Sequence, residues 1–154
     1  MHKPRVYIDT SVIGGCFDEE FAEWSNKLFD DVFAGRIIAV FSEITIKELD
    51  DAPDHVKNKF LSIPPEHQEL LKVSKEADDL ARQYIESNAV PIRFIDDALH
   101  IAYASVNNID ILASWNFKHI VNIDRIKKYN SVNILMGYKP IEIRNPREVI
   151  SNED

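Results

Sequence analysis

The sequence predicts an α/β fold, a three-layer α/β/α sandwich with a mostly parallel central sheet, and three observations carry that expectation. Short apolar runs such as Val6-Tyr7-Ile8 and Ile37-Ile38-Ala39-Val40-Phe41 alternate along the chain with longer segments whose apolar residues recur at helical spacing. The runs are apolar at successive positions, which suits strands covered on both faces. A length of 154 residues fits one domain that buries most of its unfolded surface around a single core. Residues 1–145 read as that domain and residues 146–154 as a C-terminal tail without strong pattern.

Arg5 to Asp9 reads as the first strand, ending on an acid, and Gly14-Gly15 as a turn after it. Between Asp18 and Phe33, the residues Phe21, Trp24, Leu28 and Val32 share a helix face, with acids in the first turn and Gly35 as a stop. The run through Phe41 is the second strand. Ser42 caps a helix through Leu49 that ends before Pro53 and carries Glu48. A short helical piece with Val56, Phe60 and Leu61 is broken by Pro64-Pro65. Leu70 to Val73 reads as a third strand, and Ser74 caps a helix with Ala77, Leu80, Ala81, Tyr84 and Ile85 on one face.

The stretch from Phe94 to Ile120 is the most informative. A helix opening at Asp96 and Asp97 places Ile95, Leu99, Ala102 and Val106 on one buried face and closes at Asn107-Asn108. Ile109 to Ser114 follows as a buried strand ending where Trp115 and Asn116 begin. A helix from about Lys118 to Tyr129 and a last strand at Ile141 to Arg144 complete the pattern. No internal repeat is visible.

Composition narrows the function. A hydrophobic content of 45% with 29% charged residues is that of a globular domain, and no apolar run approaches the roughly 20 residues a membrane span needs. No signal peptide is evident, and the single cysteine, Cys16, excludes an internal disulfide and a cysteine-based zinc site; the expected location is cytoplasmic. A net charge of −8 argues against passive binding to a phosphate backbone. The segment from Trp115 onward is mildly basic, with Lys118, Arg125, Lys127, Lys128, Lys139, Arg144 and Arg147. The four glycines, Gly14, Gly15, Gly35 and Gly137, form neither a dinucleotide-binding nor a P-loop pattern. Ser11 stands where a haloacid-dehalogenase-type phosphatase needs its second acid, and Asp9 alone does not supply the paired acids of a receiver domain.

Asp9, Glu48, Asp97 and Asn116 lie at strand ends and on helices that can converge on one sheet edge. Singly, Glu48 also reads as a solvated residue, Asp97 as a first-turn acid and Asn116 as a turn former. Asp9, embedded after Val-Tyr-Ile, is costly to bury without compensation. Together, three carboxylates and an amide oxygen make a hard site suited to Mg²⁺ or Mn²⁺, and phosphodiesters are natural targets for a water activated there. Thr10, Ser11 and Ser114 read either as hydroxyls for a metal water or scissile phosphate, or as turn and cap residues. Asp96 reads as the helix cap. His100 and His119 read alike, each as a structural or surface histidine ahead of a proton shuttle. Cys16, His55 and His67 read as incidental, and Trp24 with Phe21, Phe29 and Phe33 as core or dimer packing.

Four segments in order resemble the PIN-domain ribonucleases, including the VapC-like toxins of bacterial and archaeal toxin–antitoxin pairs. These are the apolar run into Asp9-Thr10-Ser11, Ser42 followed by Glu48-Leu49, Asp97-Ala98-Leu99-His100-Ile101-Ala102, and Ser114-Trp115-Asn116. The resemblance implies a PIN-like sheet, a Mg²⁺ or Mn²⁺ site built by Asp9, Glu48, Asp97 and Asn116, and endonucleolytic cleavage of RNA. It also implies a homodimer and an antitoxin protein as partner. Trp115 and His119 depart from the pattern: many VapC-like sequences carry Arg or Asn at the first position and an acid at the second. The alternative reading is a PIN-like module that no longer cleaves and binds a protein or RNA partner.

Overall fold

The computed structural model describes residues 3–150. Its five strands are β1 (Arg5–Ile8), β2 (Ile38–Phe41), β3 (Gln68–Leu70), β4 (Ile111–Ala113) and β5 (Ile143–Arg144). They form one all-parallel sheet in the order β3-β2-β1-β4-β5. Its helices are α1 (Thr10–Gly15), α2 (Ala22–Phe33), α3 (Glu43–Asp50), α4 (Asp54–Leu61), α5 (Lys75–Glu86), α6 (Ile95–Val106), α7 (Ile123–Leu135) and α8 (Pro146–Ile150). No helix among the described residues is long and apolar enough to cross a membrane.

The strand pleat sorts the core into two layers. Val6, Ile8, Ala39, Phe41 and Ala113 face a cluster with Val12, Leu28, Phe29 and Val32 from α1 and α2. Tyr7, Val40 and Leu112 face the other, with residues of α5, α6 and α7. The expected three-layer sandwich is therefore the observed one, because strands apolar on both faces need helices on both sides.

Several local expectations shift. Gly14-Gly15 belongs to α1 and is no turn. A Cβ on Gly15 would stand 2.6 Å from Ser25 Oγ and 2.8 Å from Trp115 Nε1, so this glycine serves close packing. Asp18 folds its carboxylate onto the Glu20 N–H at 2.8 Å, a local turn that delays α2 to Ala22. The third strand sits two residues earlier than expected, its register set by Ala39 opposite Gln68 and Phe41 opposite Leu70. α7 starts at Ile123, capped by Asn122, because residues 118–121 are held in a turn by Asn116. Phe94, after a short 3₁₀ turn, takes the N-cap position of α6, while Asp96 is a first-turn acid paired with Lys47 at 3.2 Å.

α6 is buried more widely than one stripe. Ala98 and every residue from His100 to Ser105 are buried, whereas Ile95, Leu99 and Val106 are half-buried at its margin. The helix lies between the sheet and α5, so most of its girth is covered. Within the expected tail, Pro146–Ile150 forms α8, which packs on α2 with Val149 and Ile150 against the core. The rest of that tail, residues 151–154, and Met1-His2 lie outside the described residues.

Candidate metal centre

β1 has β2 on one side and β4 on the other, and the chain reaches them through helices on opposite faces of the sheet. Such a switch point opens a crevice beyond the strand ends. Asp9 follows β1, Ser114 and Asn116 follow β4, Glu48 comes from α3 after β2, and Asp97 and His100 come from the first half of α6.

Asp9 occupies the N-cap position of α1, yet its side chain makes no capping hydrogen bond. Its Oδ2 instead accepts from the hydroxyls of Ser11 and Ser114, each at 2.7 Å. Glu48 is held alike: its Oε1 accepts from Thr10 Oγ1 at 2.8 Å and from His100 Nε2 at 2.5 Å. Each carboxylate thus has one oxygen taken by two donors. Of the second oxygens, Asp9 Oδ1 has only His100 Nε2 at 3.3 Å, and Glu48 Oε2 has no hydrogen bond among the described residues. The nearby hydroxyls therefore orient the acids, and the backbone N–H groups of Trp115 and Asn116 bond in turn to Ser11 and Ser114.

Behind Glu48 runs a buried chain of polar groups. His100 is fully buried; its Nδ1 lies 2.6 Å from the Tyr7 hydroxyl, which lies 2.6 Å from Ser42 Oγ. Ser42 also caps α3 in a capping box with Thr45. Two proton placements satisfy the chain: Tyr7 donates to Nδ1 of a neutral ring, or a charged ring donates to Tyr7. In both, Nε2 carries a proton toward Glu48, since an ionised carboxylate only accepts. Burial disfavours a charged ring, but Tyr7, Glu48 and Asp9 around it outweigh burial and raise the His100 pKa well above the ordinary value. Burial likewise opposes the charge on Glu48, and the His100 and Thr10 contacts overcome it and lower its pKa.

Asp97 stands farther off. One ligand atom each from Asp9, Glu48 and His100 lie within 4.8 Å of one another, and Asp97 is outside that group. It is nonetheless within their field. Burial, then the charge of Asp9 and, after a counteracting effect of His100, that of Glu48 push its carboxyl up to about 6; Asn116 acts the other way. The structure so brings the four expected residues to one crevice, with Asn116 beside Asp97. Asn116 Oδ1 also accepts the N–H groups of Lys118 at 3.2 Å and His119 at 3.0 Å, the turn-forming role open to it from sequence.

The two departures from the family pattern point away from the acids. Trp115 stacks on Phe21 with ring centroids 4.3 Å apart and donates to Ser25 Oγ at 2.8 Å, so it joins α2 to the end of β4. His119 packs its ring on Phe94, 3.8 Å between centroids; burial, then Arg125, Lys118 and Arg93, lower its pKa. The sequence treated His100 and His119 alike, and only His100 reaches the acids. Tyr7, read simply as a strand residue, was missed as a polar member of the site. Its signal was weak: alternation on β1 places Tyr7 on the face opposite Val6 and Ile8, toward α6.

The donor set fits a hard divalent cation. Asp9 and Glu48 are oriented to converge, and burial together with the charges of Asp9 and Glu48 raises the pKa of Asp97 beside them. No protein-family model matches the chain, and no curated protein matches it. Among solved structures, it is similar to a chain of VapBC2 from Rickettsia felis, bound to a DNA fragment from their promoter. That match has 17% identity and a TM-score of 0.58 and covers 92% of this chain and 98% of the other. A chain of VapBC-1 from nontypeable Haemophilus influenzae matches with 14% identity and a TM-score of 0.57, over 93% and 98% of the two chains. At these identities the likeness establishes the fold alone: this chain has the PIN-like three-layer sandwich of the chains it matches.

Proposed function

We propose that this protein is a metal-dependent endoribonuclease that hydrolyses RNA phosphodiester bonds, acting as the toxin of a type II toxin–antitoxin pair or as a solitary nuclease of the same fold. The observation that carries the reading is the convergence of Asp9, Glu48 and Asp97 at the switch point, with hydroxyls turning the first two. Asp9, Glu48, Asp97 and Asn116 are the residues that would hold Mg²⁺ or Mn²⁺. When bound, such an ion supplies positive charge to a phosphodiester and activates water for attack.

The chain's own groups do the positioning. Ser11 and Ser114 fix Asp9, Thr10 and His100 fix Glu48, and the proton on His100 Nε2 stays directed at Glu48 Oε1. The solved relatives are VapBC complexes, which supports an antitoxin as partner here. A homodimer belongs to the same reading, supported by the exposed apolar residues Ile46, Leu61, Leu70 and Val73 around α3, α4 and the β3 edge. A cytoplasmic place of action goes with it. Purified protein is expected to cut RNA with Mg²⁺ or Mn²⁺, to stop with EDTA, and to lose activity as Asp9→Asn or Asp97→Asn while remaining folded. Undiminished cleavage by both variants would refute the assignment of the acids; no cleavage by the wild type under any divalent ion would refute the enzyme.

A further inference from the structure

Several cations of this acidic chain are neutralised locally. Arg5 pairs with Glu69, Arg36 with Asp31, Lys47 with Asp96 and Arg144 with Glu142. Beside the acid crevice three cations share one site: Lys118, Arg125 and Lys128 line one cleft of about 390 Å³ with Asn122, and none of the three has a carboxylate within ion-pair distance among the described residues. Asp124 is the one acid lining that cleft. The cleft also faces the N-terminal end of α7, a 13-residue helix capped by Asn122, whose dipole adds to the positive field.

This basic cleft adjoins the acids. Lys118 follows Asn116 by two residues, and its N–H is tied to the Asn116 side chain. Tyr129, buried and donating to the His119 carbonyl at 2.7 Å, lies within the opposed fields of Asp97 and Arg125. Arg93 joins Lys118 and Arg125 around the His119 ring. Next to Lys118 in the chain, at the edge of the cleft's lining residues, Phe117 is 47% exposed, its ring centroid 6.1 Å from that of Trp115 and 6.4 Å from that of Phe21.

We propose that this cleft holds the sugar–phosphate backbone of single-stranded RNA next to the bond to be cut, with Lys118, Arg125 and Lys128 meeting phosphates and Phe117 offering a face to a base. The proposal rests on the nuclease reading and adds where the substrate strand runs. A cleft of cations with an exposed aromatic residue next in the chain to one of them supplies the two kinds of group that bind single strands without sequence readout. They also answer the problem the net charge of −8 poses, since polyanion binding needs local cations. An acidic peptide would use the cations and leave Phe117 idle, so RNA is the better fit.

The test compares the wild-type chain with the double variant Lys118→Gln/Lys128→Gln. Arg125 is left in place because it donates to the Ala89 carbonyl at 2.7 Å and helps hold the loop. Affinity for a labelled single-stranded RNA is measured across a salt series in EDTA, where the RNA stays intact. Losing two phosphate contacts is expected to reduce the slope of log K against log salt by about 1.4, at roughly 0.7 per contact. A control pair lining other clefts, beside α3, Lys57→Gln/Lys72→Gln, is expected to leave it unchanged.

Binding is read separately from cleavage. If the wild type cuts RNA but the double variant keeps affinity and slope, the cleft assignment is overturned and the nuclease reading stands. If the wild type cuts nothing but the slope still drops in the double variant, the nuclease reading fails and the RNA surface is upheld. Loss of binding to a poly-glutamate peptide with the RNA slope unchanged overturns the proposal in favour of a protein partner.

Discussion

Tyr7→Phe removes one oxygen atom from the middle of a buried chain and leaves the rest of the side chain in place. The ring still fills the core between sheet and α6 and keeps its edge contact with the His100 ring, 5.5 Å between centroids. What disappears is the group bonded to both Ser42 Oγ and His100 Nδ1. Ser42 retains its bond from the Ile44 N–H, whereas Nδ1 of a fully buried imidazole loses its partner. Leaving one such group unsatisfied costs about 1–3 kcal/mol. For a chain of this size each kcal/mol lowers Tm by roughly 2–4 °C, so the variant is expected to melt about 2–12 °C below wild type. With Nδ1 unconstrained, His100 also holds Glu48 less firmly, and metal-dependent RNA cleavage should fall by more than the folded fraction accounts for. Thermal melting beside a cleavage assay at a temperature where both proteins are folded checks both parts. A Tyr7→Phe protein that melts with wild type would refute the hydroxyl as the middle link; one that melts lower but cleaves at the wild-type rate would refute the positioning of Glu48 through it.

Two further outcomes follow from named contacts. In Asp97 the folded carboxyl is raised from 3.8 to about 6, so ionising it costs stability: the loss develops as pH rises from the unfolded value to the folded one and is complete above it. Asp97→Asn is therefore expected to melt above wild type at neutral pH in EDTA, with the gap closing as the pH falls from about 6 to 3.8; Mn²⁺ should raise the wild-type Tm, by the equivalent of about 2.7 kcal/mol at a hundredfold excess over Kd, and leave this variant unmoved. A lower neutral Tm for Asp97→Asn would contradict the account of burial and like charge. Gly15→Ala would drive a methyl group into Ser25 and Trp115, and overpacking of this kind costs about 1–3 kcal/mol; urea midpoints should show it, and an unchanged midpoint would mean that the Trp115 contact yields freely.

Local pattern settled much of this molecule. Continuous apolar runs marked β1, β2 and β4, helical spacing marked α2, α5 and α6, and the caps Ser42 and Ser74 stand where their side chains bond the first turns of α3 and α5. The positions of Asp9, Glu48, Asp97 and Asn116 at strand ends and on the helices that follow were legible too, because a parallel sheet sends such positions to one edge. Other features depended on partners distant in the chain. Gly14-Gly15 reads as a turn until Trp115 is seen against it, and the third strand slides by two residues because β2 sets its register. His100 and His119 are equivalent in a linear reading. Only the packing of α6 on β1 brings His100 to Tyr7, 93 positions away, and to Glu48, while the turn at Asn116 carries His119 to Phe94. Spacing along the chain determines which face of an element a side chain occupies; which hydroxyl saturates which carboxylate oxygen is decided only when separate elements close on one crevice.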